Sequence, residues 1–252
     1  MLKDFSRDTF DIIIQAGQSN AEGCGIGKAN DPFEQSDRVW YLNGDFTICQ
    51  AQERIWGNNI AGDFSLSFAR EYIKSGLLAE GRNILIVRSA VGGTGFSDNR
   101  WGMNDDLYLR MINMVRTATG LNKRNKPVAF LWHQGETDAA NSLPGEIYLR
   151  NLTALVGTVR SLCGRADLPF INGNFVREWI AENEGICEPI IGALRKVCAD
   201  IGCAGFVETD GLLSNMQDNG NDSTIHFCRE ALYQLGQRYF KTFHGITGVK
   251  EG

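Results

Sequence analysis

Clusters of positive charge are missing from this sequence. Its 252 residues carry 25 Lys and Arg against 30 Asp and Glu, for a formal net charge of −5. No stretch concentrates the basic residues, so a nucleic-acid or anionic-membrane partner has no electrostatic support. Long hydrophobic runs are missing too. Segments such as Ile12–Ile14 and Ile84–Val87 fall far short of the roughly 20 apolar residues that cross a bilayer. The opening Met1-Leu2-Lys3-Asp4-Phe5 lacks the apolar core of a signal peptide, and a cytoplasmic protein is expected. Histidine is scarce, at 3 (His133, His226, His244). The 7 cysteines are scattered, odd in number and never spaced Cys-x-x-Cys. Buried reduced thiols are therefore expected rather than a disulfide framework, and no metal site.

What remains is ordinary globular composition, 43% hydrophobic and 22% charged, without repeats or low-complexity tracts. No composition break divides the chain, so a single domain over residues 1–252 is expected. Strand-like and helix-like segments alternate along it. Asp11–Ala16, Asn83–Ser89, Pro127–Trp132, Pro169–Asn174 and Gly205–Glu208 read as strands. Phe64–Lys74, Asp105–Thr119, Leu143–Cys163, Pro189–Ile201 and Arg229–Phe243 read as helices. Such alternation predicts an α/β fold, with a mainly parallel sheet of roughly five strands and helices on both faces. Ligands of open α/β sheets bind beyond the carboxyl ends of the strands. Four polar or glycine-rich segments should meet at that rim: Gly17-Gln18-Ser19-Asn20, Val91 to Gly95, His133 to Asp138, and Asp222 to His226.

Each segment offers chemistry. Ser19 at a strand end is a candidate nucleophile, although a serine there equally suits a helix cap. Ala21 stands where the Gly-x-Ser-x-Gly elbow needs glycine, and Ala29 where a phosphate-binding loop needs Ser or Thr. Gly23, Gly25 and Gly27 have the wrong final spacing for a dinucleotide fingerprint. His226 is a candidate base, with Asp222 four residues before it to fix the imidazole tautomer. His133 competes for that role. Backbone N–H groups at Gly92 and Gly93, the Ser19 N–H and the Gln134 amide are candidate oxyanion donors.

Together these residues resemble the SGNH (GDSL-like) hydrolases, in their sialate O-acetylesterase and acetyl xylan esterase branch. The matching blocks are Gly17-Gln18-Ser19-Asn20, then Gly92-Gly93-Thr94 with Trp101, then Trp132-His133-Gln134-Gly135-Glu136-Thr137-Asp138, and last His226-Phe227. They occur in family order. The resemblance implies a three-layer, flavodoxin-like α/β/α sandwich that removes O-acetyl groups from small carbohydrates. It implies Ser19 as nucleophile, His226 as base and Asp222 as acid. Ser19, Gly92, Gly93 and Gln134 would form the oxyanion hole, with no cofactor. The family places its Asp three residues before the His, where Ser223 stands here. Glu136 is therefore an alternative acid, and a Ser-His dyad another alternative. Gln18 and Asn20 are candidate substrate contacts, Glu136 and Asp138 either bind sugar hydroxyls or order the third segment, and Trp101 either stacks on a sugar ring or belongs to the core. Trp179 is a further candidate for stacking on a sugar, whereas Trp132 is expected in the core. Two other functions fit the same residues: a catalytically silent carbohydrate-binding protein, and a general short-chain esterase or thioesterase.

Overall fold

The central strand β1 (Phe10–Gly17) is buried along its whole length, in a computed structural model that describes residues 4–221 and 223–248. Ile12, Ile13 and Ile14 are fully buried, so both faces of the strand are covered. Such burial is the pattern of a parallel strand between helical layers.

The chain continues through a short helix α1 (Ser19–Glu22) and the strands β2 (Val39–Leu42) and β3 (Ile48–Gln50). A small hairpin follows, β4 (Arg54–Trp56) and β5 (Asn59–Ala61), and then α2 (Phe64–Lys74). Next come β6 (Asn83–Arg88), α3 (Asp106–Gly120), β7 (Lys126–His133), α4 (Glu136–Ala140) and α5 (Gly145–Leu162). The last part holds β8 (Phe170–Gly173), α6 (Arg177–Glu182), α7 (Glu184–Asp200), β9 (Ala204–Val207), α8 (Asn215–Asn219) and α9 (Arg229–Thr247).

The main sheet has seven strands in the order β3-β2-β6-β1-β7-β8-β9. All neighbours are parallel except the edge pair β2–β3. Helices α2 and α9 pack together on one face, and α3, α5 and α7 cover the other. The five expected strands are β1, β6, β7, β8 and β9. The two additional ones, β2 and β3, span only 4 and 3 residues, too short for periodicity to register. One helix boundary differs as well. Helix α7 starts before Pro189, which lies inside it. Among the described residues no helix is long and apolar enough to cross a membrane.

Candidate active site

The carboxyl ends of β1, β6 and β7 are tied together by backbone hydrogen bonds. Gln18 N–H donates to His133 O at 3.0 Å, and Val91 N–H donates to Gly17 O at 3.0 Å. Gly17 is required there. Its φ is 135°, and a Cβ would lie 2.0 Å from His133 O. The chain then turns into α1, with Ser19 as its first residue and Gln18 at the cap, where no side-chain cap bond forms. The Ser19 hydroxyl is thus not spent on capping. Instead Ser19 Oγ lies 2.9 Å from His226 Nε2.

His226 reaches this position because Asn20 clasps its backbone on both sides. Asn20 Nδ2 donates to Ile225 O at 3.0 Å, and Asn20 Oδ1 accepts from Phe227 N–H at 3.1 Å. Asn215 N–H donates to His226 O at 2.8 Å, which fixes the same loop from α8. The imidazole Nδ1 lies 2.7 Å from Ser223 Oγ. Asp222, the expected acid, lies outside the described residues.

Burial pushes the His226 pKa below its ordinary value of 6.5. A base must be neutral to take a proton, so activity rises as pH climbs through the folded-state pKa. The acid limb of kcat/KM for p-nitrophenyl acetate is therefore expected below pH 6.5. A limb above that value would mean that a neighbouring negative charge outweighs desolvation.

The Glu136 carboxyl does not take part in that contact. It is fully buried, and its Oε1 accepts the second Asn20 Nδ2 hydrogen at 2.9 Å. Burial raises its pKa to about 7. His133 Nε2 lies 3.9 Å from Glu136 Oε1, beyond hydrogen-bond reach. Tyr239 spends its single hydroxyl hydrogen on Trp132 O, so His133 Nδ1–H donates to the Tyr239 oxygen. Burial depresses the His133 pKa to about 3. Its ring packs near Phe64, Phe227 and Tyr239, so His133 is a neutral core residue rather than a rival base.

The expected oxyanion donors divide. Ser19 N–H belongs to the first turn of α1, where a helix leaves its amides without internal partners. Gly93 is exposed with φ 67°. Gly92 N–H, by contrast, donates to Glu22 Oε2 at 2.8 Å. Gln134 is turned inward. Its Nε2 has Asp138 Oδ2 at 2.7 Å, Thr94 O at 3.1 Å and Gln18 Oε1 at 3.3 Å, so both amide hydrogens have internal acceptors. In this structure Gly92 and Gln134 are therefore not free donors, because tertiary contacts supply acceptors that sequence order does not reveal.

The expected substrate contacts have internal partners as well. Gln18, Asn20, Glu136, Asp138 and Trp101 are all buried. Gln18 Oε1 accepts from Thr137 N–H at 3.2 Å, and Asp138 accepts from the Phe96 and Ser97 amides. Trp101 donates to Thr94 Oγ1 at 2.9 Å and meets Trp132 edge-on at 5.2 Å. Trp179 is buried against Phe175. In this structure these side chains are buried and pack or hydrogen-bond within the protein.

Sequence reasoning missed the β4–β5 hairpin, which brings the half-exposed Trp56 to the rim. The signal was present. Gly57-Asn58 between Ile55 and Ile60 is a two-residue hairpin turn, with Gly57 at φ 60°. Among the described residues no group of three or more His, Cys, Asp or Glu side chains is arranged to hold a metal.

Comparisons with known proteins bear on the family and the fold. A family model described as carbohydrate esterase, sialic acid-specific acetylesterase matches residues 9–245. A search of curated proteins finds no significant match. The solved structure of NanS superposes with a TM-score of 0.78 at 19% identity, over 94% of this chain and 97% of NanS. A protein of Arabidopsis thaliana gives a TM-score of 0.71 at 21% identity, over 94% of this chain and 98% of its own. A carbohydrate acetylesterase from Xanthomonas citri gives 0.60 at 19% identity, over 94% of this chain and 56% of its own. At such identities the likeness to these structures is one of fold.

Proposed function

The chain belongs to the carbohydrate esterase family of sialic acid-specific acetylesterases, and from that premise we propose that it removes O-acetyl groups from sugars through an acetyl-Ser19 intermediate. The observation that carries this reading is the 2.9 Å contact between Ser19 Oγ and His226 Nε2. A serine hydroxyl is a weak nucleophile until a base takes its proton, and this contact supplies the base.

Ser19 Oγ attacks the acetyl carbonyl carbon while His226 Nε2 takes the hydroxyl proton. The tetrahedral intermediate collapses, the C–O bond to the sugar breaks, and His226 returns its proton to the leaving sugar oxygen. Water then attacks the acetyl-enzyme by the same route and releases acetate. The developing oxyanion is stabilised by the Ser19 N–H and the exposed Gly93 amide. The working tautomer of His226 keeps its proton on Nδ1, donated to Ser223 Oγ at 2.7 Å. Asp222 is the proposed acid partner of His226.

The test is acetate release from p-nitrophenyl acetate and from an acetylated xylo-oligosaccharide. Wild type is expected to turn over both. Ser223→Ala is expected to lower kcat about 10–100-fold, the worth of a hydrogen bond to a charged imidazolium. Asp222→Asn is compared beside it, and the variant that falls further names the group that holds Nδ1. Purified wild type that releases acetate from neither substrate would overturn the reading.

A further inference from the structure

A cavity of about 460 Å³ is lined on one side by His226, whose Nε2 contacts Ser19 Oγ. That size lies within the roughly 300–1,000 Å³ of small-molecule sites. His226 and Ser223 line it together with Trp56, Asn58, Asn59 and Asn221, among others. Two features define its chemistry. The first is an aromatic ring held in place. Trp56 is 45% exposed, yet the Arg54 guanidinium sits over its ring, 5.1 Å from the centroid. Arg54 is in turn held by Glu22 at 2.5 Å, three residues after Ser19 on α1. The chain of contacts Ser19–α1–Glu22–Arg54–Trp56 therefore sets the ring at a fixed place relative to the nucleophile. An aromatic face suits the apolar C–H surface of a sugar ring.

The second feature is charge. Among the described residues that border the cavity there is no lysine, arginine, aspartate or glutamate. Its polar side chains are four asparagine amides beside the Ser223 hydroxyl and the His226 imidazole, groups that donate and accept as sugar hydroxyls do. Arg54, the cation beside the ring, has its charge compensated by Glu22. A substrate carboxylate entering this cavity would lose water without gaining a counter-charge.

We propose that this cavity is the sugar subsite, that Trp56 is its stacking platform, and that it takes neutral O-acetylated sugars in preference to the carboxylate-bearing O-acetylated sialic acids. The assignment rests on the esterase reading above and specifies its substrate class. The hairpin is the specificity-determining element, and the nucleophile is common to all esters.

The test compares kcat/KM of wild type on acetylated xylose, glucose and mannose with that on O-acetylated sialic acid, using p-nitrophenyl acetate as the reference for the chemical step. At least one neutral sugar is expected to be preferred over the sialic acid by about tenfold or more, since the unpaired carboxylate is penalised. Trp56→Ala is expected to lower kcat/KM on the preferred sugar about tenfold more than on p-nitrophenyl acetate, mainly through KM. Trp56→Phe keeps a ring and should recover most of that loss. Ile60→Ala, on the same hairpin but not bordering the cavity, should leave the ratio unchanged. A preference for the sialic acid ester, turnover of none of the neutral sugars, or equal losses on both substrates in Trp56→Ala would overturn the subsite. Wild type inert even toward p-nitrophenyl acetate would instead overturn the esterase reading beneath it.

Discussion

Ser19→Ala is expected to lower kcat on p-nitrophenyl acetate by about 10⁴-fold or more, and His226→Ala by a similar factor. The double variant should lose little beyond either single one. The two side chains act as one unit across a 2.9 Å contact, and a base with no nucleophile to activate contributes nothing. Folding should survive the serine change. Ser19 Oγ caps no helix, so its loss removes only the bond to His226 from the hydrogen bonds described here. Circular dichroism and the melting temperature are the checks. A residual rate above that of water is expected, because Ser19 N–H and Gly93 survive both substitutions and still polarise the carbonyl. Ser19→Ala retaining more than a tenth of wild-type kcat would exclude Ser19 as the nucleophile. Losses that multiply in the double variant would mean that His226 serves some other group.

The sheet was legible in sequence where its strands are buried on both faces. Ile12–Ile14 and Ile84–Val87 are continuous apolar runs because helices cover them above and below. The strands Val39–Leu42 and Ile48–Gln50 were not legible, being only 4 and 3 residues long. The site divides along a different line. Ser19 and His226 are 207 positions apart, and their blocks could be paired only through a resemblance covering all four segments. The direction of each polar group was illegible. Gln134 looks like an oxyanion donor until Asp138, one helical turn on, is seen accepting its amide hydrogen at 2.7 Å. Gly92 looks free until Glu22 arrives from α1, 70 positions away. Asn20 looks like a substrate contact because it follows the serine, but its amide is spent on Ile225 O, Phe227 N–H and Glu136 Oε1. In each case a buried polar group must find a partner, and which partner it finds depends on tertiary placement.

That demand for partners makes Asn20 the residue whose loss should hurt most after Ser19 and His226. Asn20→Ala leaves Ile225 O, Phe227 N–H and Glu136 Oε1 each without a described partner. A buried unsatisfied group costs about 1–3 kcal/mol, so the loop should relax to recover some of them. Relaxation there moves His226, and a displacement of about 1 Å at a catalytic group costs about 100-fold in rate. Asn20→Ala is therefore expected to lower kcat about 100-fold while leaving KM for p-nitrophenyl acetate nearly unchanged, with a melting temperature several degrees lower, at about 2–4 °C per kcal/mol. Glu136→Gln separates this clasp from direct acid catalysis. Glutamine still accepts from Asn20, and the carboxyl it replaces has its pKa raised to about 7 by burial, so the uncharged form is already present near neutrality. If Glu136 acts only through Asn20, Glu136→Gln should retain most of the wild-type kcat, and the pH profile should keep its His226 limb. Were Glu136 the charged partner of the imidazole, the same change would cost about 10⁴-fold, as removal of the charge from a catalytic triad acid does. Two orders of magnitude or more thus separate the outcomes. A collapse of activity in Glu136→Gln with an unchanged melting temperature would transfer the acid role from the loop before His226 to the third block.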